Sequence, residues 1–197
     1  MVLGIDFDNT IVSYDFLFKK LALERGLITP NFPANKTLIR DHLRNVGKEA
    51  LWTAMQGEAY GPRMGEALAF PDVKETISRL LRAGVSVRII SHKTRFPIVG
   101  EPFDLHVAAL DWLAKEKFWG PEVGMLQEHA FFEPTKEAKL ARISAEACVA
   151  FIDDLPEILT SPLFPPSIRR FLFDPERTHT APAGLEVLSH WGRFEWP

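Results

Sequence analysis

The segment Val2-Leu3-Gly4-Ile5-Asp6-Phe7-Asp8-Asn9-Thr10 constrains this chain more than any other. A short apolar run ends abruptly in two carboxylates separated by one residue. The run lacks the spacing of an amphipathic helix. It suits a strand of a parallel sheet, where both faces are covered and polar–apolar alternation is lost. Acids at the tip of such a strand stand at the carboxyl edge of the sheet, where open α/β sheets collect their ligands because loops and helix N-termini converge there. Asp6 and Asp8 are two apart, so their side chains start on the same side of an extended chain.

The rest of the chain supplies what such a sheet needs. Its 197 residues, 46% of them hydrophobic, suit one core with a modest insertion. After Thr10 a helix is predicted over Phe16 to Arg25, stopped at Gly26. Pro30, Pro33 and Asn35 mark a loop. Leu38, Ile39, Leu43 and Val46, then Leu51, Trp52 and Met55, recur at helical spacing and predict a pair of short helices broken at Gly47. Pro71-Asp72 opens a further helix that stops at Gly84. Val85 to Ile90 reads as a second buried strand, ending in Ser91-His92-Lys93-Thr94-Arg95. Leu105 to Lys117 predicts a helix, Ala130 to Phe132 a third strand, and Thr135 the N-cap of a helix through Ile143. Cys148 to Ile152 is a fourth strand ending in Asp153-Asp154, and Phe171 to Phe173 a fifth. A terminal helix is expected over Leu185 to Trp191, with Trp191, Phe194 and Trp196 in packing roles.

Strands alternating with helices predict a Rossmann-like α/β fold, a parallel sheet of about five strands with helices on both faces. Residues 14–69 hold no strong strand and read as a small helical cap inserted into a core domain of residues 1–13 and 70–197. The net charge of −3, without a basic face or stripe, argues against nucleic acid as a partner. Cys148 is the single cysteine, which excludes an intrachain disulfide and fits a reducing compartment. There is no positively charged leader ahead of an apolar run and no stretch long enough to span a membrane, so a cytoplasmic protein is expected. Oligomeric state is not legible.

In the expected sheet, Asp6, Asp8, Ser91, Asp153 and Asp154 gather at one edge. Two unit charges about 4 Å apart interact by roughly 4 kcal/mol at the effective dielectric of a protein surface, so four carboxylates call for a cation. Oxygen donors without His or Cys at metal spacing favour a hard ion, and completion by water and substrate phosphate is the habit of Mg²⁺. The competing reading of Asp153-Asp154-Leu155-Pro156 is a helix N-terminus stabilised by acids.

Together these clusters resemble the haloacid dehalogenase superfamily of phosphohydrolases, whose four short motifs they follow in order. Asp6-Phe7-Asp8-Asn9-Thr10 is similar to the first, Ser91 to the second, a lysine in Thr135 to Lys139 to the third, and Asp153-Asp154 to the fourth. The resemblance implies that Asp6 is a nucleophile attacking phosphorus, and that Asp8 protonates the leaving oxygen and then activates water. Ser91 and either Lys136 or Lys139 would hold phosphoryl oxygens. Proximity to the Thr135 cap favours Lys136. Mg²⁺ would take Asp6, the backbone carbonyl of Asp8, and Asp153 or Asp154. His92, Lys93 and Arg95 follow Ser91 closely, where they would add substrate contacts; the competing reading, a solvated polar loop, is favoured, and they are not counted as catalytic.

Superfamily members that cleave carbon–halogen bonds typically lack an acid at the position of Asp8. Asp8 therefore points to a phosphatase of a small phosphorylated metabolite. The alternatives are a phosphomutase or phosphotransferase of the same superfamily, or a non-catalytic phosphate-binding regulatory protein. The cap is expected to close over the crevice and choose the leaving group through Trp52, Gln56, Tyr60 and Arg63, with Trp52 as the cap's own core as the competing reading.

Overall fold

The computed structural model describes residues 1–180 and 183–196. In chain order, β1 (Val2–Ile5) is followed by a tight turn and β2 (Val12–Ser13), then by α1 (Asp15–Glu24), α2 (Lys36–Asn45) and α3 (Glu49–Tyr60). Next come β3 (Leu68–Ala69), α4 (Val73–Arg82), β4 (Ser86–His92), α5 (Leu105–Lys115) and β5 (Ala130–Glu133). The chain continues through α6 (Lys136–Ala145), β6 (Cys148–Asp153), the short α7 (Pro156–Leu159), β7 (Arg169–Phe173) and β8 (Glu186–Leu188). The main sheet has six strands in the order β5-β4-β1-β6-β7-β8, every neighbouring pair parallel, and helices flank it. This is the Rossmann-like α/β architecture.

The strands at the middle of the sheet are the apolar runs of the sequence. Leu3 and Ile5 of β1, Val87, Ile89 and Ile90 of β4, and Ala150, Phe151 and Ile152 of β6 are all fully buried, as strands covered on both faces must be. Gly4 has a packing reason. A Cβ at Gly4 would stand 2.7 Å from Cε2 of Phe151, so the ring closes directly on the β1 backbone. On one side of the sheet Ile90, Phe151 and Leu172 pack with Leu140 and Ile143 of α6 and with Ile158 and Leu159 of α7. The helix boundaries follow local chemistry. Asn35 caps α2 by accepting from the Leu38 amide at 2.8 Å, and Thr135 caps α6 by accepting from Ala138 at 3.1 Å. Gly47, at φ +71°, lets the chain turn between α2 and α3.

The sheet has one strand more than expected, and the difference lies at the C-terminal end. Leu185, Leu188 and Trp191 recur every three residues and imitate a helix face. In the structure Glu186–Leu188 is instead the edge strand β8, and only Trp191–Arg193 turns, as a single 3-10 segment. The parallel ladder to Phe171–Phe173 satisfies the backbone there, and so tertiary pairing overrides the local period.

The chain divides into two compact units. The first holds Met1–Val12, Ala69–Thr94 and Glu116–Pro197, and the second Ser13–Leu68 and Arg95–Lys115. The second unit is therefore larger than the expected insertion of residues 14–69. Its extra piece is α5, which buries Ala108, Ala109, Trp112 and Leu113. Trp112 Nε1 donates to the Ala67 carbonyl at 3.0 Å within this unit. Periodicity marks α5 as having a buried face but does not say which partner covers it. Trp52 is 2% exposed and stacks on Phe18 at 4.6 Å, so it belongs to this unit's core. Among the described residues, no helix is long and apolar enough to cross a membrane.

Candidate active site

The turn after β1 is built to hold acids still. The Phe7 carbonyl accepts from the Ile11 and Val12 amides at 3.0 and 3.1 Å, and Asn9 takes the left-handed conformation (φ 58°) that its side chain tolerates better than most. Trp191, almost fully buried, donates from Nε1 to the Thr10 carbonyl at 2.9 Å, while its own carbonyl accepts from the Thr76 hydroxyl at 3.0 Å. The turn is thereby tied to α4 and to the C-terminal segment, which gives Trp191 the packing role expected of it.

Asp6 extends β1 by one residue, its amide donating to the Ile152 carbonyl at 2.9 Å. Its Oδ1 accepts from Ser91 Oγ at 2.8 Å and from Lys139 Nζ at 2.6 Å. The same ammonium donates to Asp153 Oδ2 at 2.6 Å, and the other Asp153 oxygen accepts from the Leu155 amide at 3.0 Å. Burial alone would pull the Lys139 ammonium down, but the attractions of Asp153 and Asp6 outweigh it and hold its pKa above the ordinary lysine range. For Asp153 burial wins. Its carboxyl is pushed up to about 7, mainly by desolvation and against the pull of Lys139.

Lys139, not Lys136, reaches the carboxylates. Helical side chains lie over the turn preceding their own Cα, so a lysine one turn inside α6 covers the helix start and the strand tips beside it. Lys136, the first residue of α6, projects past that end and pairs with the exposed Glu157 at 3.4 Å.

Ligand oxygens of Asp6, Asp153 and Asp154 all lie within 4.8 Å of one another. Oxygens on opposite sides of a Mg²⁺ ion stand about 4.2 Å apart, so small side-chain adjustments suffice to fit these three around one hard cation. The Thr10 hydroxyl lies 3.5 Å from both Asp6 Oδ2 and Asp154 Oδ1 and bridges the set. The Asp8 carboxylate does not join this triad. It accepts from Lys93 Nζ at 3.0 Å through Oδ1 and 2.7 Å through Oδ2.

Lys93 is the residue that the sequence reading weighed as a substrate contact and left out of the site. Read as part of a solvated loop, it is only 4% exposed. The signal was available, because Ser91 and Lys93 are two apart on an extended segment and so share a face, with His92 turned the other way. Burial holds the His92 imidazole below its usual range. Lys93 also changes the charge argument. Asp6, Asp8, Asp153 and Asp154 are accompanied by two buried ammonium groups, Lys93 and Lys139, which compensate half of the negative charge before any metal binds.

No family model matches the chain, and no curated protein does. Solved structures do. The chain is similar to a haloacid dehalogenase-like family hydrolase from Xanthomonas campestris, with 9% identity over 98% of this chain and 91% of that one and a TM-score of 0.56. It is similar to a structure described as a dehalogenase, with 12% identity over 97% and 93% of the two chains and a TM-score of 0.54. A phosphoserine phosphohydrolase-like protein from Francisella tularensis matches with 13% identity over 96% and 95%, at a TM-score of 0.51. The chain has the haloacid dehalogenase fold. Identities this low transfer the fold and leave the chemistry to be argued from the residues.

Proposed function

We propose that this chain is a Mg²⁺-dependent, cytoplasmic phosphohydrolase that cleaves a small phosphomonoester through an aspartyl-phosphate on Asp6. The observation that carries the reading is the convergence on Asp6. One of its oxygens is held by Ser91 and Lys139, and its carboxylate also belongs to a triad with Asp153 and Asp154. A buried carboxylate fixed in this way, with a second acid two residues on, has the parts of a nucleophile with its own proton carrier.

In this reading Asp6 forms a bond to phosphorus as the bond from phosphorus to the leaving oxygen breaks, and Asp8 gives that oxygen its proton. Asp8 then takes a proton from water as the water attacks phosphorus, which releases phosphate and restores Asp6. Ser91 and Lys139 orient Asp6 and offer donors to phosphoryl oxygens as charge builds there. Asp6, Asp153 and Asp154 would hold Mg²⁺, which would supply further neutralisation of that charge. Asp8 favours phosphoryl over carbon–halogen chemistry, since a departing halide needs no proton whereas an alkoxide does.

Phosphate release should be measured with and without Mg²⁺ across sugar phosphates, nucleotides, phospho-amino acids and simple phosphomonoesters, beside halide release from haloacids. Metal-dependent phosphate release from at least one ester, abolished in Asp6→Asn, is the expected result. Metal-independent halide release without phosphate release would overturn the reading. Transfer to added alcohols in preference to water would assign the chain to the phosphotransferases instead.

A further inference from the structure

We infer that Lys93 is a positioning residue for the reaction proposed above, holding the Asp8 carboxylate at one angle so that it meets first the leaving oxygen and then the attacking water. The inference rests on that reading. Lys93 Nζ donates to both oxygens of Asp8, at 3.0 and 2.7 Å, and a contact shared by both oxygens holds the carboxylate's place and the direction it faces. The cation is the more deeply buried member of the pair, its side chain 3% exposed against 20% for Asp8.

The backbone of Lys93 is held as well. Its amide donates to the Glu133 carbonyl at 2.8 Å, carrying the β4–β5 ladder one residue beyond the end of β4. Nζ lies 5.7 Å from the ring centroid of Phe7, the residue between the two acids. Burying an ammonium is costly, and an ion pair with a purely structural role is replaced as well or better by a pair of apolar residues. The arrangement is also divided by task. Lys139 serves Asp6 and Asp153, Lys93 serves Asp8, and each reacting carboxylate has its own buried cation.

The test is a double-mutant cycle, with p-nitrophenyl phosphate as substrate and Mg²⁺ in excess, on the wild type, Lys93→Met, Asp8→Asn and the double variant. Lys93→Met should lower kcat by about 10- to 100-fold while KM stays within about twofold, the mark of lost alignment rather than lost binding. The double variant should be no slower than Asp8→Asn alone, because a positioning residue then has nothing left to position. Lys93→Arg, which keeps a cation able to bridge both oxygens, should recover part of kcat. A rise in KM in place of the fall in kcat would overturn the inference and make Lys93 a substrate contact. So would a loss that persists undiminished in the Asp8→Asn background, or an unchanged kcat. If Lys93→Met fails to fold, Lys93→Gln and Lys93→Arg make the same comparison. Absence of phosphate release by the wild type would overturn the underlying reading and this inference with it, whereas the other outcomes strike the inference alone.

Discussion

Lys136 and Lys139 stand three residues apart in one helix and face opposite fates. Lys139 is sealed between Asp6 and Asp153, and Lys136 is held only by an exposed partner. Removing the buried cation strands two carboxylates, so Lys139→Met should cost about 3–5 kcal/mol of stability as well as activity. Lys136→Met should fall within about 0.5 kcal/mol of the wild type. Paired thermal melts and rate measurements check both, and equal effects would contradict the placement of Lys139.

Asp153 gives a pH signature. Its carboxyl titrates near 7 in the folded, metal-free protein, above the ordinary aspartate value near 3.8, because it is buried. A raised acid favours the folded state while protonated, so its contribution is fully present below about pH 4 and is lost as pH rises through about 7. Metal-free protein should therefore lose stability from this group between about pH 4 and 7. The gain in melting temperature on adding Mg²⁺ should be larger at pH 8 than at pH 6, since the metal must displace that proton. A gain that shrinks with rising pH would count against Asp153 as a ligand. Cys148, also in β6, is buried and its thiol is pushed up to about 12 by burial, so it adds no competing metal or nucleophile chemistry in this range.

At the scale of elements, β1 and β6 are pressed together at Gly4 and Phe151. Gly4→Ala should force the Phe151 ring aside and cost about 1–3 kcal/mol, as overpacking does. That ring also lies 5.5 Å from Lys139 Nζ, so the variant should lose rate beyond its loss of stability. Unaltered stability, read from denaturant unfolding, would show that the sheet yields at this point. The strands that carry the site were legible because apolar runs ending in acids or hydroxyls have no other economical fold. The edge strand β8 was not, since three residues with one buried side chain leave no pattern. Arg63 shows the same limit. Expected to meet substrate, it bridges Glu24 and Glu66 within the second unit, and its hydrogen bonds, with help from Lys20, hold Glu66 down at about 2. Which acids a surface arginine will meet is a tertiary fact that sequence spacing does not encode.

For the whole molecule, the sheet order puts β1 between β4 and β6, so Asp6, Ser91 and Asp153 come from three adjacent strands and meet without any long side chain crossing the sheet. Only Lys139 has to reach in from a helix. This explains why the acids could be named from sequence while the choice between two lysines, and the whole role of Lys93, waited for the structure. The central claim is that phosphorus is carried on Asp6. Asp8→Asn should slow the release of that phosphoryl group by about 10²- to 10⁴-fold, long enough for it to accumulate. Rapid acid quenching of this variant during turnover of p-nitrophenyl phosphate, followed by peptide mapping by mass spectrometry, should find a phosphoryl adduct on Asp6. Phosphate release by the wild type with no adduct on Asp6, or with an adduct on another residue, would contradict the account.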